Sequence, residues 1–159
     1  MSKTETKSPF TPDQEKVLLG WTKKYPYPNL GLIEALRAVQ EWHRMITPEA
    51  ASAVADIFQL PFNHVWGVAT FFPTFTRWKT GEKRVGVCHG LSCWMKGSNK
   101  AEKCLEKTLG VPKKQATPDG KLSWETMECL GACEQAPALL VNDRLVGPAT
   151  EEAIAKLKP

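Results

Sequence analysis

Arg84–Val85–Gly86–Val87–Cys88–His89–Gly90–Leu91–Ser92–Cys93 starts as a strand and ends in a glycine-bearing loop with a thiol at each end. Val85 and Val87 alternate with Arg84 and Gly86, the period of a strand with one buried face. A second stretch repeats the plan: Leu122, Trp124 and Thr126 share a face, and Glu128–Cys129–Leu130–Gly131–Ala132–Cys133 follows. Between them, residues from about 98 to 109 carry a helical pattern, stopped by Gly110 with Pro112 beyond it. Strand, helix and strand in that order need a crossover, so the two strands are expected to be parallel. Parallel strands place their carboxyl ends on one edge, where open α/β sheets hold their ligands. Cys88 is expected to close the first strand and Cys129 the second, with Cys93 and Cys133 in the loops that follow. All four thiols then meet at one site.

Outward from this core, Pro118–Asp119–Gly120 reads as a turn into the second strand. Ala138 to Val141 is a buried type of run, Asn142–Asp143 a hairpin turn and Arg144 to Val146 the return strand. Thr150 caps a last helix, with Glu151 and Glu152 placed well for its dipole. The order βαβ then ββα is what a thioredoxin-like domain requires.

The first half reads differently. Thr11, Pro12 and Gln14 form a capping box at a helix start, and Val17, Leu18 and Trp21 lie on one face of that helix. After a break at Tyr25–Asn29, Leu32, Ala35, Leu36, Val39, Trp42 and His43 define an amphipathic helix ending near Met45. Thr47–Pro48–Glu49 starts another, striped by Ala51, Val54, Ile57 and Phe58. Val65, Val68, Ala69 and Phe72 mark a fourth, shorter helix. Such helices are marginal alone and are expected to form a bundle. The predicted class is therefore α+β: a flexible N-terminus over 1–10, a small helical bundle over 11–75, and a thioredoxin-like α/β domain over 82–159.

Composition bounds the function. With 42% apolar and 24% charged residues the chain is ordinary globular material, and no apolar run reaches the ~20 residues of a membrane span. The polar stretch Met1 to Pro9 has no signal-peptide core, so a cytoplasmic address is expected, with any membrane association made through a larger complex. Thiols stay reduced there, and five cysteines is an odd count for a disulfide framework. The net charge of +4 is modest, and nucleic-acid binding is not expected. Lys96, Lys100, Lys103, Lys107, Lys113 and Lys114 could face an acidic partner, but a solvated helix face with Glu102 and Glu106 as i,i+4 partners is the plainer reading. No dinucleotide, Walker, nucleophile-elbow or zincin motif occurs. A redox role would need another subunit to bind the substrate.

Four residues lie between Cys88 and Cys93 and three between Cys129 and Cys133. Four thiolates from two loops suit a [2Fe–2S] cluster or a tetrahedral Zn²⁺ in a structural or interaction module. Loops wider than the tight zinc knuckle favour iron–sulfur, and spacing leaves zinc and unligated thiols open. Gly90, Gly97 and Gly131 could bring backbone N–H groups to the sulfurs, or be simple turn residues. Cys104 shares a stripe with Ala101, Leu105, Thr108 and Leu109 and is expected to be a core thiol. His89 is expected outside the ligand set, with an outer charge as its alternative role. His43 and His64 are explained by packing or solvation. The six tryptophans read mostly as core, with Trp94 the one that could shield a metal site.

Val87 to Cys93, Lys96–Gly97, Thr117–Pro118–Asp119–Gly120, Glu128 to Cys133 and Ala136–Pro137, preceded by Pro61–Phe62–Asn63–His64–Val65–Trp66–Gly67–Val68–Ala69–Thr70–Phe71–Phe72, together resemble the 24-kDa (NuoE-type) subunit family. These are the thioredoxin-like [2Fe–2S] subunits of respiratory complex I and related NAD-linked enzymes. The resemblance covers roughly residues 15 to 157. It implies that Cys88, Cys93, Cys129 and Cys133 hold one [2Fe–2S] cluster. It also implies docking beside a larger flavoprotein subunit that carries FMN and NAD(H), with further iron–sulfur subunits in the complex. The chain would then serve an NADH-dehydrogenase-type oxidoreductase as a one-electron carrier without a complete active site of its own. A potential near about −400 mV, as in plant-type clusters, is consistent with so much negative charge on one site. Phe71–Phe72 departs from the Phe–Tyr that relatives often carry.

Overall fold

Thr11 begins the ordered helical region by the reciprocal cap its sequence encodes. Its hydroxyl accepts from the Gln14 N–H at 3.3 Å, and the Gln14 side chain accepts from the Thr11 N–H at 2.9 Å. The computed structural model describes residues 8–157, so residues 1–7 of the expected flexible N-terminus lie outside the described residues. Phe10, at the end of that segment, is buried against Trp42 and His43. The described chain divides into two compact units, the first ending at Arg77 and the second beginning at Trp78.

The first unit is helical. α1 (Pro12–Lys24) and α2 (Leu32–His43) are joined through a 3₁₀ turn, Pro28–Gly31. A Cβ on Gly31 would stand 2.5 Å from the Trp21 carbonyl oxygen, so only glycine lets the two helices approach this closely. Arg44 ends α2 in the left-handed region, at φ 61°. α3 (Pro48–Phe58) is capped by Thr47, whose hydroxyl accepts from the Ala50 N–H at 3.1 Å. α4 (Phe62–Phe71) completes the set. Leu18, Leu32, Leu36, Val39, Val54, Phe58 and Val65 fill one core. Truncating any of these leucines to alanine removes about 2–5 kcal/mol of packing and transfer energy. Val17, expected on the buried face of α1, is instead exposed: that helix packs Leu18, fully buried, and Trp21, half-buried, against the core.

The second unit carries a four-stranded mixed sheet in the order β2-β1-β3-β4. β1 (Lys83–Cys88) runs parallel to β2 (Leu122–Met127), in register from Lys83↔Leu122 to Cys88↔Met127. β3 (Leu139–Val141) pairs antiparallel with β1 and with β4 (Arg144–Val146). Between β1 and β2 come α5 (Leu91–Met95) and α6 (Ser98–Leu109), and α7 (Glu151–Ala155) follows β4. Val85, Val87, Leu105, Leu122, Trp124, Leu139 and Ile154 make its core. Cys104 and Leu109 pack against that core. Trp124 is the one buried tryptophan there, its indole N–H donating to the Val111 carbonyl at 2.9 Å. Of the tryptophans expected mostly in the core, Trp124 alone is buried, while Trp21, Trp42, Trp66 and Trp78 are half-buried; Trp94, singled out as a shield for a metal site, is 52% exposed. No helix among the described residues is long and apolar enough to cross a membrane.

Candidate redox-metal site

Parallel pairing decides where the site lies. Cys88 ends β1 opposite Met127, and the His89 N–H donates to the Met127 carbonyl at 2.8 Å, holding both strand ends together. The Cys88 N–H donates to the Ala138 carbonyl at 3.0 Å, which brings the entry to β3 to the same place. The two cysteine loops leave from this edge. Cys129 does not close β2 as expected: the strand stops at Met127 and Cys129 stands two residues beyond. Cys93 lies not in a loop but in α5, a single turn whose Trp94 N–H donates to Gly90 and whose Lys96 N–H donates to Ser92. Cys133 opens a 3₁₀ turn, Cys133–Gln135.

The thiols differ in exposure. Cys88 and Cys93 are buried, whereas Cys129 and Cys133 are exposed. Around the first two is a small apolar cluster of Ala132, Ala136 and Ala138, with Leu130 at its edge. The side chains around these sulfurs are short. The two loops touch at Gly90, where a Cβ would meet the Cys129 Cβ at 3.1 Å and its Sγ at 3.3 Å.

Electrostatics link the four sulfurs. Burial pushes the Cys88 thiol up, but backbone N–H groups of Leu130 and Gly90, then the thiols of Cys93 and Cys129, outweigh burial and hold Cys88 below its ordinary value. Burial pushes Cys93 up against the pull of the Ala138 N–H, and its hydrogen bond to Cys88 and the charges of Cys88 and Cys133 push the same way, so it stands above its ordinary value. Within this pair Cys93 donates the hydrogen bond and Cys88 accepts it. No group of three or more His, Cys, Asp and Glu side chains among the described residues is spaced to hold a single metal ion. The thiols are instead linked in pairs, Cys88 with Cys93 and Cys129, Cys93 with Cys88 and Cys133. Four soft sulfur donors, two from each of two loops, with N–H groups directed at them, fit the chemistry of an iron–sulfur cluster.

Sequence reasoning named the four cysteines and the Gly90 N–H. It missed the N–H groups of Leu130 and Ala138, because a main-chain donor carries no residue-type signal. Gly97, at φ 97°, forms the junction from which α6 starts. His89 lies outside the thiol group, its ring nitrogen 3.2 Å from Asn99 Oδ1 and 3.3 Å from Glu102 Oε1. Glu102 turns to His89, and the helix pairing expected for it has no partner, since positions 98, 99, 105 and 106 are Ser, Asn, Leu and Glu.

Comparison with known proteins follows the same lines. The family described as "Thioredoxin-like [2Fe-2S] ferredoxin" matches residues 19–158. An NADH-quinone oxidoreductase subunit from Aquifex aeolicus is 38% identical over 119 residues, covering 75% of this chain and 74% of that protein. The protein of the same description from Pseudomonas aeruginosa is 32% identical, covering 84% and 80%. The HndA protein of the NADP-reducing hydrogenase of Solidesulfovibrio fructosivorans is 30% identical, covering 79% and 74%. Among solved structures, a chain of the NAD⁺-reducing [NiFe]-hydrogenase in its H₂-reduced state aligns with TM-score 0.67 at 22% identity, covering 80% of this chain. This chain spans only 21% of that hydrogenase chain, and the likeness is one of fold. The chain belongs to the thioredoxin-like [2Fe–2S] ferredoxin family.

Proposed function

We propose that this ferredoxin-family chain is a one-electron carrier subunit of an NADH-oxidising or NAD⁺-reducing complex, with Cys88, Cys93, Cys129 and Cys133 as the ligands of its [2Fe–2S] cluster. The observation that carries the reading is the linkage of those four thiols across two loops, with three backbone N–H groups directed at the buried pair. On this reading residues 82–159 are the ferredoxin domain and residues 11–75 a helical bundle domain. A larger flavoprotein subunit would carry FMN and NAD(H), and further iron–sulfur subunits would continue the path. Complex I, an NAD-linked hydrogenase, a formate dehydrogenase and a bifurcating enzyme are the candidate parents, in keeping with relatives described both as quinone oxidoreductase and as hydrogenase subunits.

When bound, the cluster supplies reversible uptake of one electron. The chain's own part is to make thiolates and to hold their charge. The hydrogen bonds that lower the Cys88 thiol favour its deprotonated form, the form in which sulfur ligates. N–H donation from Leu130, Gly90 and Ala138 stabilises negative charge on the sulfurs and shifts the potential upward, against the burial of Cys88 and Cys93.

Anaerobic purification tests this. The expected product is red-brown, holds about two irons and two sulfides per chain, and gives a rhombic EPR signal on reduction. A colourless protein with one zinc per chain would identify a structural Cys₄ module instead.

A further inference from the structure

We infer that α5 and the start of α6 form a docking face for an electron-exchanging protein whose surface is apolar at its centre and rimmed by carboxylates. This rests on the electron-carrier reading above and names the surface through which it operates. Three large apolar side chains crowd into the single turn of α5: Leu91 is 75% exposed, Trp94 52% and Met95 73%. One such residue on a surface means little, but three within five positions, on the turn that carries Cys93, form a patch. Nothing in their own fold requires them outside, because Cys93 alone of that turn faces inward.

Charge sets the partner's chemistry. Lys96 follows α5 directly, and Lys100 and Lys103 share the exposed side of α6, on which α5 packs. Lys100 folds back over the junction, its aliphatic carbons 3.7 and 4.0 Å from where a Gly97 Cβ would stand. Among the described residues none of these three lysines forms an ion pair, since the nearby Glu102 carboxylate turns to His89. Unpaired ammonium groups beside exposed apolar surface complement a carboxylate rim. Glu128 and Glu134 stand exposed beside Cys129 and Cys133 on the other loop, so the charge on this face is divided and favours one orientation of the partner. Docking here would also cover the two exposed sulfurs and exclude water from them.

The test uses the holoprotein and the FMN-carrying protein recovered with it. Leu91→Glu/Met95→Glu and Lys100→Glu/Lys103→Glu should keep wild-type iron content and EPR signal, yet recover at least tenfold less FMN. Leu145→Glu and Lys156→Glu, exposed positions elsewhere on the same unit, should recover as much FMN as wild type. A second measurement needs no protein partner: oxidation of the reduced holoprotein by ferricyanide, in which one electron passes from the protein to give ferrocyanide. Lys100→Glu/Lys103→Glu should slow it several-fold at low ionic strength, with the difference vanishing at high salt. Patch variants with intact iron that recover FMN like wild type would overturn the docking face and leave the electron-carrier reading standing, as would equal losses in the control variants. A wild-type holoprotein without iron would overturn both.

Discussion

Gly90 and Cys129 are in contact across the two cysteine loops, so closely that a Cβ on Gly90 would lie 3.1 Å from the Cys129 Cβ and 3.3 Å from its Sγ. This contact sets the exposed Cys129 directly against the loop that carries the buried pair. The Gly90 N–H also donates to Cys88, so one residue acts on two of the four thiols. Gly90→Ala should push the loops apart by a few tenths of an ångström. The expected outcome is a shifted EPR line shape and lower iron retention. Gly67→Ala, where nothing lies within 4 Å and the position is helical, should leave iron unchanged and stabilise α4 by about 0.5–1 kcal/mol.

The ligand set makes a second prediction. Cys129→Ser should lose most of the iron and its absorption, since a serine oxygen is a poor substitute for a soft thiolate. Cys104→Ala should keep the full spectrum, because that thiol packs against the α6 side of the core, with Thr108 Oγ1 at 3.9 Å. Iron lost from the Cys104 variant would show the ligand assignment to be wrong.

Arg84 and Glu125 form an ion pair between β1 and β2, with side chains only 15% and 10% exposed. Removing the carboxylate takes away the ion-pair partner of a guanidinium that is itself largely out of water. Glu125→Ala should therefore cost about 3–5 kcal/mol in urea unfolding. A loss under about 1 kcal/mol would mean that this ion pair adds no more than a surface pair does.

Asp119 offers a pH test away from the thiols. The Thr117 hydroxyl, then the Lys121 N–H, donate to its carboxylate and hold its pKa below the usual range. A carboxyl depressed in the folded state stabilises it above the ordinary aspartate value, and that stability is lost as pH falls through the lowered folded value. Asp119→Asn should thus melt below wild type at neutral pH, with the gap closing as the solution is acidified past that range. A gap independent of pH would assign the turn's stability to shape alone.

How much of this was legible in the chain follows the range of the interactions. α1, α3 and α7 begin at Thr11, Thr47 and Thr150 as expected, because a cap is formed with a backbone N–H three residues away. The α6 stop at Gly110 is equally local, a left-handed residue at φ 68°. Parallel pairing of β1 and β2 was predictable because a crossover helix leaves little alternative. Where distant residues compete, local pattern was not enough. Val17 fits the stripe of α1 but stays exposed while Leu18 is buried, and Glu102 meets His89, a partner outside its own helix. α5 was invisible, since one helical turn built around Cys93 has no periodicity to read.

By itself the sequence determined the identity and order of the four thiols, the helix starts and the strand that leads into each cysteine loop. All of these depend on neighbours within a few positions or on the requirement for a crossover. Only the tertiary structure decided which thiols are buried, which main-chain N–H groups face them, and which apolar side chains are left outside beside them. Those properties belong to atoms far apart along the chain, and they exist only once β1, β2 and β3 are side by side.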